Sequence, residues 1–282
     1  MTEEIRDIQR RYRIVGRSDE LEAALACVKL NRNLLIEGPV GVGKTVLALA
    51  VTHHLGRSFF RVDGDERYTE QKLTGWFDPP IVLTKGYTHA AFIPGPLAQA
   101  MLEEGILFIN ELNRMPESVQ NVLLPSLDER TLSIPKYGEI SGKNGFAVIA
   151  TQNPREFVAT SHLSEALRDR FELVALDYQS FEEEVEIVRL NLPEGLNPAE
   201  GIIREAVELV RATRKTPLIR RGASVRAAIS IVELSTQFHS ADSLQRAAHI
   251  ALPTRIELAD DVHEPVYDVI DSIIDGLKKK PR

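Results

Sequence analysis

Cysteine is nearly missing from this sequence: Cys27 is the single thiol among 282 residues. One thiol cannot close an internal disulfide or build a cysteine-based zinc site by itself, so neither a stapled fold nor a zinc module is expected. Basic charge is in deficit. The 34 Lys and Arg set against 41 Asp and Glu leave a net charge of −7 and a pI near 5.6. That balance is unsuited to a dedicated binder of bulk DNA or RNA, although a few basic side chains can still gather on one face. No apolar run approaches the roughly 20 residues that span a bilayer. The amino end, Met1 to Arg13, is charged and lacks the apolar stretch of a secretory signal. Internal repeats and low-complexity tracts are also absent. A cytoplasmic protein is expected.

What remains is ordinary globular composition, 43% hydrophobic and 27% charged. The length suits one large domain, or one medium and one small. Ser18 reads as the N-cap of a first helix, with Asp19 and Glu20 where the helix dipole favours negative charge. Cys27 falls with Leu21, Ala24, Leu25 and Val28 on the apolar side of that helix and reads as core. A strand over Asn33 to Glu37 runs through a glycine-rich turn into a helix from about Gly43 to Leu55. Further strand-like runs are Phe59 to Val62, Ile106 to Ile109, Phe146 to Ala150 and Phe171 to Leu176. Several are continuously apolar and alternate with helical pattern, as strands of a helix-covered parallel sheet do. The spacing predicts a three-layer α/β domain over residues 1–178.

After Leu176 no strand signal recurs. Ser180 and Glu183 form a capping box, and helical patterns follow at Ile202 to Thr213, Ser224 to Gln237, Ala241 to Ala251 and Val262 to Leu277. Residues 179–282 are expected to form a smaller, all-helical lid. Lys278 to Arg282 reads as a solvated tail. His53, His54 and His89 have no metal-site spacing and are assigned nothing.

Gly38-Pro39-Val40-Gly41-Val42-Gly43-Lys44-Thr45 fits the P-loop pattern between a predicted strand and a predicted helix. Glycines let successive backbone N–H groups turn inward around phosphates, and the helix N-terminus adds a favourable dipole. Lys44 is expected on the β- and γ-phosphates of ATP, and the Thr45 hydroxyl on Mg²⁺. Val46 follows in the same nucleotide-binding stretch.

Ile106-Leu107-Phe108-Ile109-Asn110-Glu111 is an apolar strand ending in two polar residues. Such an end lies at the carboxyl edge of the sheet, where ligands of open α/β sheets collect. Glu111 is the candidate to orient the attacking water, set against a simpler role as an acid at a helix N-terminus. Asn110 stands where Asp is expected to support the magnesium. Its carbonyl can still accept a hydrogen bond from a metal-bound water, but a negative charge is lost.

With these motifs the sequence resembles the MoxR-type AAA+ ATPases, in the AAA+ group with an insert in its second helix. The resemblance also rests on Phe92-Ile93-Pro94-Gly95-Pro96, Glu111-Leu112-Asn113-Arg114, Val148-Ile149-Ala150-Thr151-Gln152-Asn153-Pro154, Leu163-Ser164-Glu165-Ala166-Leu167-Arg168-Asp169-Arg170-Phe171 and Gly222-Ala223-Ser224-Val225-Arg226-Ala227. It runs from about Val15 to at least Ile256. It implies a P-loop NTPase core with a helical lid and a ring oligomer, by family expectation a hexamer. By the resemblance, Asn153 is a sensor of the γ-phosphate or attacking water. Arg170 is the arginine finger entering a neighbouring copy's site, with Arg168 its rival and a structural ion pair the plainer use. Arg226 is a second sensor on the lid, set against an ordinary solvated arginine. Val15 and Gly16 lie by the adenine. A partner bearing a von Willebrand factor A domain is a further family expectation.

Ile81 to Phe92 fits the helix-interrupting insert, and Thr131 to Asn144 reads as a hairpin through Tyr137-Gly138. Both are similar in position to pore-facing segments, and an ordinary surface hairpin fits equally well. The expected function is an ATP-driven chaperone that remodels or activates a partner complex. The alternatives are a nucleotide-gated assembly module with little turnover, and a motor on nucleic acid, against which the acidic balance counts.

Overall fold

The computed structural model describes residues 2–153, 163–240 and 242–279. They form two compact units, one of residues 2–39, 43–153 and 163–177, the other of residues 40–42, 178–240 and 242–279.

The first unit is built on a five-stranded sheet. Numbering its strands along the chain, β1 is Leu34–Glu37, β2 Phe59–Asp63, β3 Ile106–Asn110, β4 Ala147–Gln152 and β5 Glu172–Ala175. Their order across the sheet is β2-β3-β4-β1-β5, and every pairing is parallel. The three inner strands are buried until their last residue, which is why they read as unbroken apolar runs.

Side chains alternate between the faces of a strand. Leu35, Leu107, Ile109, Val148 and Ala150 join one core with Leu97, Met101 and Leu123, from helices Pro96–Leu102 and Glu117–Asp128. On the other face Phe108 stacks on Phe59 at 5.2 Å. Phe59 meets His53, and His53 meets Tyr12. That face is therefore covered by α3 (Lys44–His54) and α1 (Glu3–Tyr12), giving three layers.

Three local readings change. A helix, α1, precedes the one expected to come first; Thr2 caps it, and Ile5 and Ile8 are buried three residues apart. Ser18 is not the N-cap of α2 (Ser18–Lys29) but its first residue. Arg17 caps the helix in a left-handed conformation, and the Ser18 hydroxyl instead accepts a bond from Gln9. Cys27 is only half buried, at the margin of the apolar stripe, and burial pushes its thiol above the usual range.

The second unit packs helices Phe181–Asn191, Glu200–Thr213, Val225–Ser235, Ser243–Ala251 and Val266–Lys278 around Val188, Val207, Ile231, Ala248 and Ile270. It is not purely helical. Ile219–Arg221 pairs antiparallel with Glu257–Leu258, a ribbon too short to leave a periodic signal. The Ser180–Glu183 capping box is present. Buried Glu184 accepts from Arg211 and Arg214, at 3.0 and 2.6 Å, so its charge is compensated where an unpaired one would be costly. Pro154, Ala241 and the tail residues 280–282 lie outside the described residues. Among the described residues no helix is long and apolar enough to cross a membrane.

Candidate nucleotide site

β1 ends at Glu37, and α3 begins at Lys44. The loop between them is tied to the sheet, since Gly38 N–H donates to the Gln152 carbonyl and Gln152 Nε2 donates to Glu37 at 2.9 Å. A Cβ on Gly38 would lie 2.3 Å from the Leu176 carbonyl oxygen, so only glycine fits there. Gly43 takes φ +95° with no atom within 4 Å of an added Cβ; its requirement is conformational. The Lys44 ammonium lies in the bend, donating to the carbonyls of Gly38 at 2.6 Å and Pro39 at 2.8 Å. Thr45 stands half-buried in the first turn, Val42 is buried, and Val40 and Val46 are exposed.

The second half of the site is assembled from three strands. Asn110 ends β3 as the register partner of Asp63 at the end of β2. Thr151, fully buried on β4, ties the ends together: it accepts from Glu111 N–H and donates to Asn110 Oδ1, both at 3.0 Å. Its proton is thereby assigned, and so is the Asn110 amide, whose Nδ2 donates to Asp63 Oδ1 at 3.0 Å. Glu111 leaves the strand in a left-handed conformation, φ 58° and ψ 53°, which a non-glycine residue adopts at a cost of about 1–2 kcal/mol. Its carboxylate lies 3.1 Å from Arg114 Nε. Asn153, 7% exposed, follows the last residue of β4. The Arg61 guanidinium beside Asp63, then the Asn110 amide, hold the Asp63 carboxyl below its ordinary range.

Gly38, Lys44, Thr45, Asn110, Glu111 and Asn153 thus share the carboxyl edge of one parallel sheet. Asp63 and Thr151 belong with them, although no sequence motif gives either a role. The available signal was that neighbouring strands end in polar residues at one register.

Arg170 is not at this edge. It precedes β5, its carbonyl accepts from Asn33 just ahead of β1, and it sits by the amino ends of the strands. Its guanidinium donates to Asp128 at 3.0 Å and to the Ala166 carbonyl at 2.6 Å. Arg168 is exposed. Val15 and Gly16 lie between α1 and α2, where Gln9 donates to the Gly16 carbonyl and Arg17 to the Asp177 carbonyl. In the second unit Arg226 is exposed in the first turn of Val225–Ser235, a turn with no acidic residue and no side-chain cap. A cation there opposes the helix dipole, which a bound anion would offset. The two candidate pore-facing segments are joined in one aromatic cluster. Tyr137, in the turn between Thr131–Ile134 and Gly138–Ser141, lies 4.5 Å from His89 and from Phe92.

The described fold and P-loop are those of an AAA+ protein. The AAA domain of the dynein-related subfamily matches residues 33–171. An uncharacterized protein of Staphylococcus epidermidis is 31% identical over 228 residues, 80% of this chain and 86% of that protein. One of Staphylococcus aureus is 31% identical over 216 residues, 76% of this chain and 81% of that one. Two solved structures share the fold: a Cytophaga hutchinsonii protein provisionally called an ATPase, at 22% identity over 99% of this chain and 94% of that chain, with a TM-score of 0.52, and the Thermotoga maritima RuvB Holliday junction branch migration motor, at 18% over 84% and 70%, with a TM-score of 0.53. The chain belongs to the AAA+ family.

Proposed function

We propose that the protein is a Mg²⁺-dependent ATPase of MoxR type that works in the cytoplasm as a ring. It spends ATP on remodelling or activating a partner protein complex, and a protein with a von Willebrand factor A domain is the partner class its sequence blocks suggest. One observation carries the enzymatic part: the Gly38–Thr45 loop and the Asn110–Glu111 strand end meet on one edge of one parallel sheet, where such sheets bind ligands. The donors suit a magnesium nucleotide, with an ammonium inside the loop's bend, a hydroxyl in the helix's first turn and amide and carboxylate groups opposite.

In this reading Lys44 exchanges the Gly38 and Pro39 carbonyls for phosphate oxygens, and the Thr45 hydroxyl and Asn110 hold the metal and its water. Magnesium, when bound, neutralises charge on the phosphate oxygens. Glu111 orients the attacking water and Asn153 hydrogen-bonds it or the γ-phosphate. Arg170, at the opposite edge from its own loop, serves the loop of an adjacent copy. Supplying the guanidinium in trans makes turnover depend on assembly. Arg226 reports the phosphate to the second unit. The test is phosphate release by the purified protein. It should require Mg²⁺ and vanish in Lys44→Ala and Glu111→Gln; an oligomer that hydrolyses nothing, and that Glu111→Gln leaves unaltered, sinks the reading.

A second reading has its own observation, the Glu111–Arg114 pair. A carboxylate held by its own chain's guanidinium is poorly placed to orient water, and the protein would then be a nucleotide-gated assembly module with negligible turnover. Arg114→Ala separates the two: a large gain in turnover favours the gated module, and no gain favours the working ATPase.

A further inference from the structure

We infer that Asp63 supplies the negative charge that Asn110 lacks, steadying a water of the nucleotide-bound magnesium from the neighbouring strand. The inference rests on the ATP-binding reading above and extends it to a residue that reading leaves unused.

Three observations carry it. Asp63 and Asn110 are register partners at the carboxyl ends of adjacent strands, in contact at 3.0 Å. Alternation along β2 and β3 puts Asp63 on the face of Phe59 and Asn110 on that of Phe108. Those two rings stack on the side covered by α3, the helix that opens with Lys44 and Thr45. The backbone also fixes the pair. Gly64 N–H donates to the Asn110 carbonyl at 2.7 Å, and a Cβ on Gly64 would come within 2.1 Å of the Glu111 carbonyl oxygen. The backbone that carries Asp63 is therefore held against the end of β3.

The amide orientation sharpens the point. Thr151 donates to Asn110 Oδ1, and the NH₂ group faces Asp63. Toward Asp63 the amide is a donor, so Asp63 is the charged acceptor at this edge, while one lone pair of Asn110 Oδ1 beyond the Thr151 bond is left for a metal-bound water. An ionised carboxylate offers about four lone-pair sites. Asp63 accepts from Arg61 and Asn110 and is 58% exposed, so solvent reaches it. Magnesium dehydrates reluctantly and engages proteins through one or two oxygen groups and several retained waters. A carboxylate displaced by one strand can serve it through such a water. Acid and amide have exchanged strands while the charge at the edge is kept.

The test uses the full chain and a fluorescent ATP analogue, titrated in EDTA and in rising Mg²⁺, for wild type, Asp63→Asn and the exchanged pair Asp63→Asn with Asn110→Asp. Asp63→Asn, which keeps shape and removes charge, should raise the Mg²⁺ needed for half-maximal tightening about 10- to 100-fold. Affinity in EDTA should be unchanged, and the exchanged pair should recover most of the loss. Unaltered Mg²⁺ dependence in Asp63→Asn overturns the inference alone. So does a loss that the exchanged pair leaves in place, since Asp63 would then act only through Arg61. A wild type that binds no ATP in either condition overturns the inference and the reading beneath it together.

Discussion

The two halves of the candidate site are built by opposite means. The phosphate loop is local: eight consecutive residues run from a strand into a helix, and their chemistry is written in one glycine-rich string. The strand-end half is assembled from the ends of three strands, with Asp63, Asn110, Glu111 and Thr151 drawn from segments 40 to 47 residues apart in sequence and joined by bonds of 3.0 Å. A contiguous motif announces itself. A strand-end cluster depends on register, and register is a property of the folded sheet.

The largest effect expected falls outside both halves. Arg170→Ala should lower assembled turnover about 10³- to 10⁵-fold, the range for a guanidinium withdrawn from a phosphoryl-transfer site. Asp128→Ala, which removes only its partner in the same chain, should leave turnover within a few-fold by the modest worth of a surface pair, and Arg168→Ala likewise. Equal losses in Arg170→Ala and Asp128→Ala would assign the arginine a structural role. Mixing Arg170→Ala chains with Lys44→Ala chains gives a second measurement. If the finger acts in trans, mixed assemblies recover activity that neither variant has alone.

Next in size is the contrast between the halves. Lys44→Ala should weaken ATP binding and turnover together. Glu111→Gln should cut turnover about 10²- to 10⁴-fold, the range for a positioned acid–base group, and still bind ATP. Calorimetry with ATP beside phosphate release reads both quantities, and a Glu111→Gln protein that no longer binds would merge the halves into one.

Thr151 tests whether the strand half is one unit. Thr151→Val keeps the shape and removes the bonds to Glu111 N–H and Asn110 Oδ1 at a fully buried position. Leaving such groups unsatisfied costs about 1–3 kcal/mol, read by denaturant unfolding, and turnover should fall with it because Glu111 loses its anchor. Thr151→Ser should restore both. A Thr151→Val protein of unaltered stability would show that the strand ends are held by register alone.

The sheet, its five strands and the loop were legible because each leaves a local mark: continuous apolar runs, Gly-Lys-Thr, the Ser180–Glu183 capping box. The Thr131–Ile134 hairpin was legible too, its turn being Pro135, Lys136 and Tyr137, with Gly138 opening the second strand. Other features were not. Helix α1 has only Ile5 and Ile8 as buried anchors in a highly charged stretch, so its pattern is thin. The ribbon of Ile219–Arg221 with Glu257–Leu258 is held by long-range pairing over two or three residues, below any periodicity. Asp63 reads as one more surface acid after Arg61, and only strand register joins it to Asn110.

The smallest effects separate the halves by what their glycines are for. Gly43 stands in open space at φ +95°, so alanine there meets no atom and strains only the backbone, at a cost of about 1–2 kcal/mol. Gly64 has no such conformation but does have the Glu111 carbonyl oxygen 2.1 Å from where a Cβ would sit, so alanine must push the ends of β2 and β3 apart. Overpacking of this kind costs about 1–3 kcal/mol, close to the other figure, so stability alone cannot tell the two apart. Function can. Gly64→Ala should move Glu111 and weaken turnover and the Mg²⁺ response, while leaving affinity for ATP in EDTA intact. Gly43→Ala should weaken that affinity itself, because the first N–H groups of α3 turn with the loop. If Gly64→Ala weakens metal-free binding as much as Gly43→Ala does, the loop and the strand ends move as one body, and the division between local and assembled halves is a feature of the sequence with no mechanical counterpart.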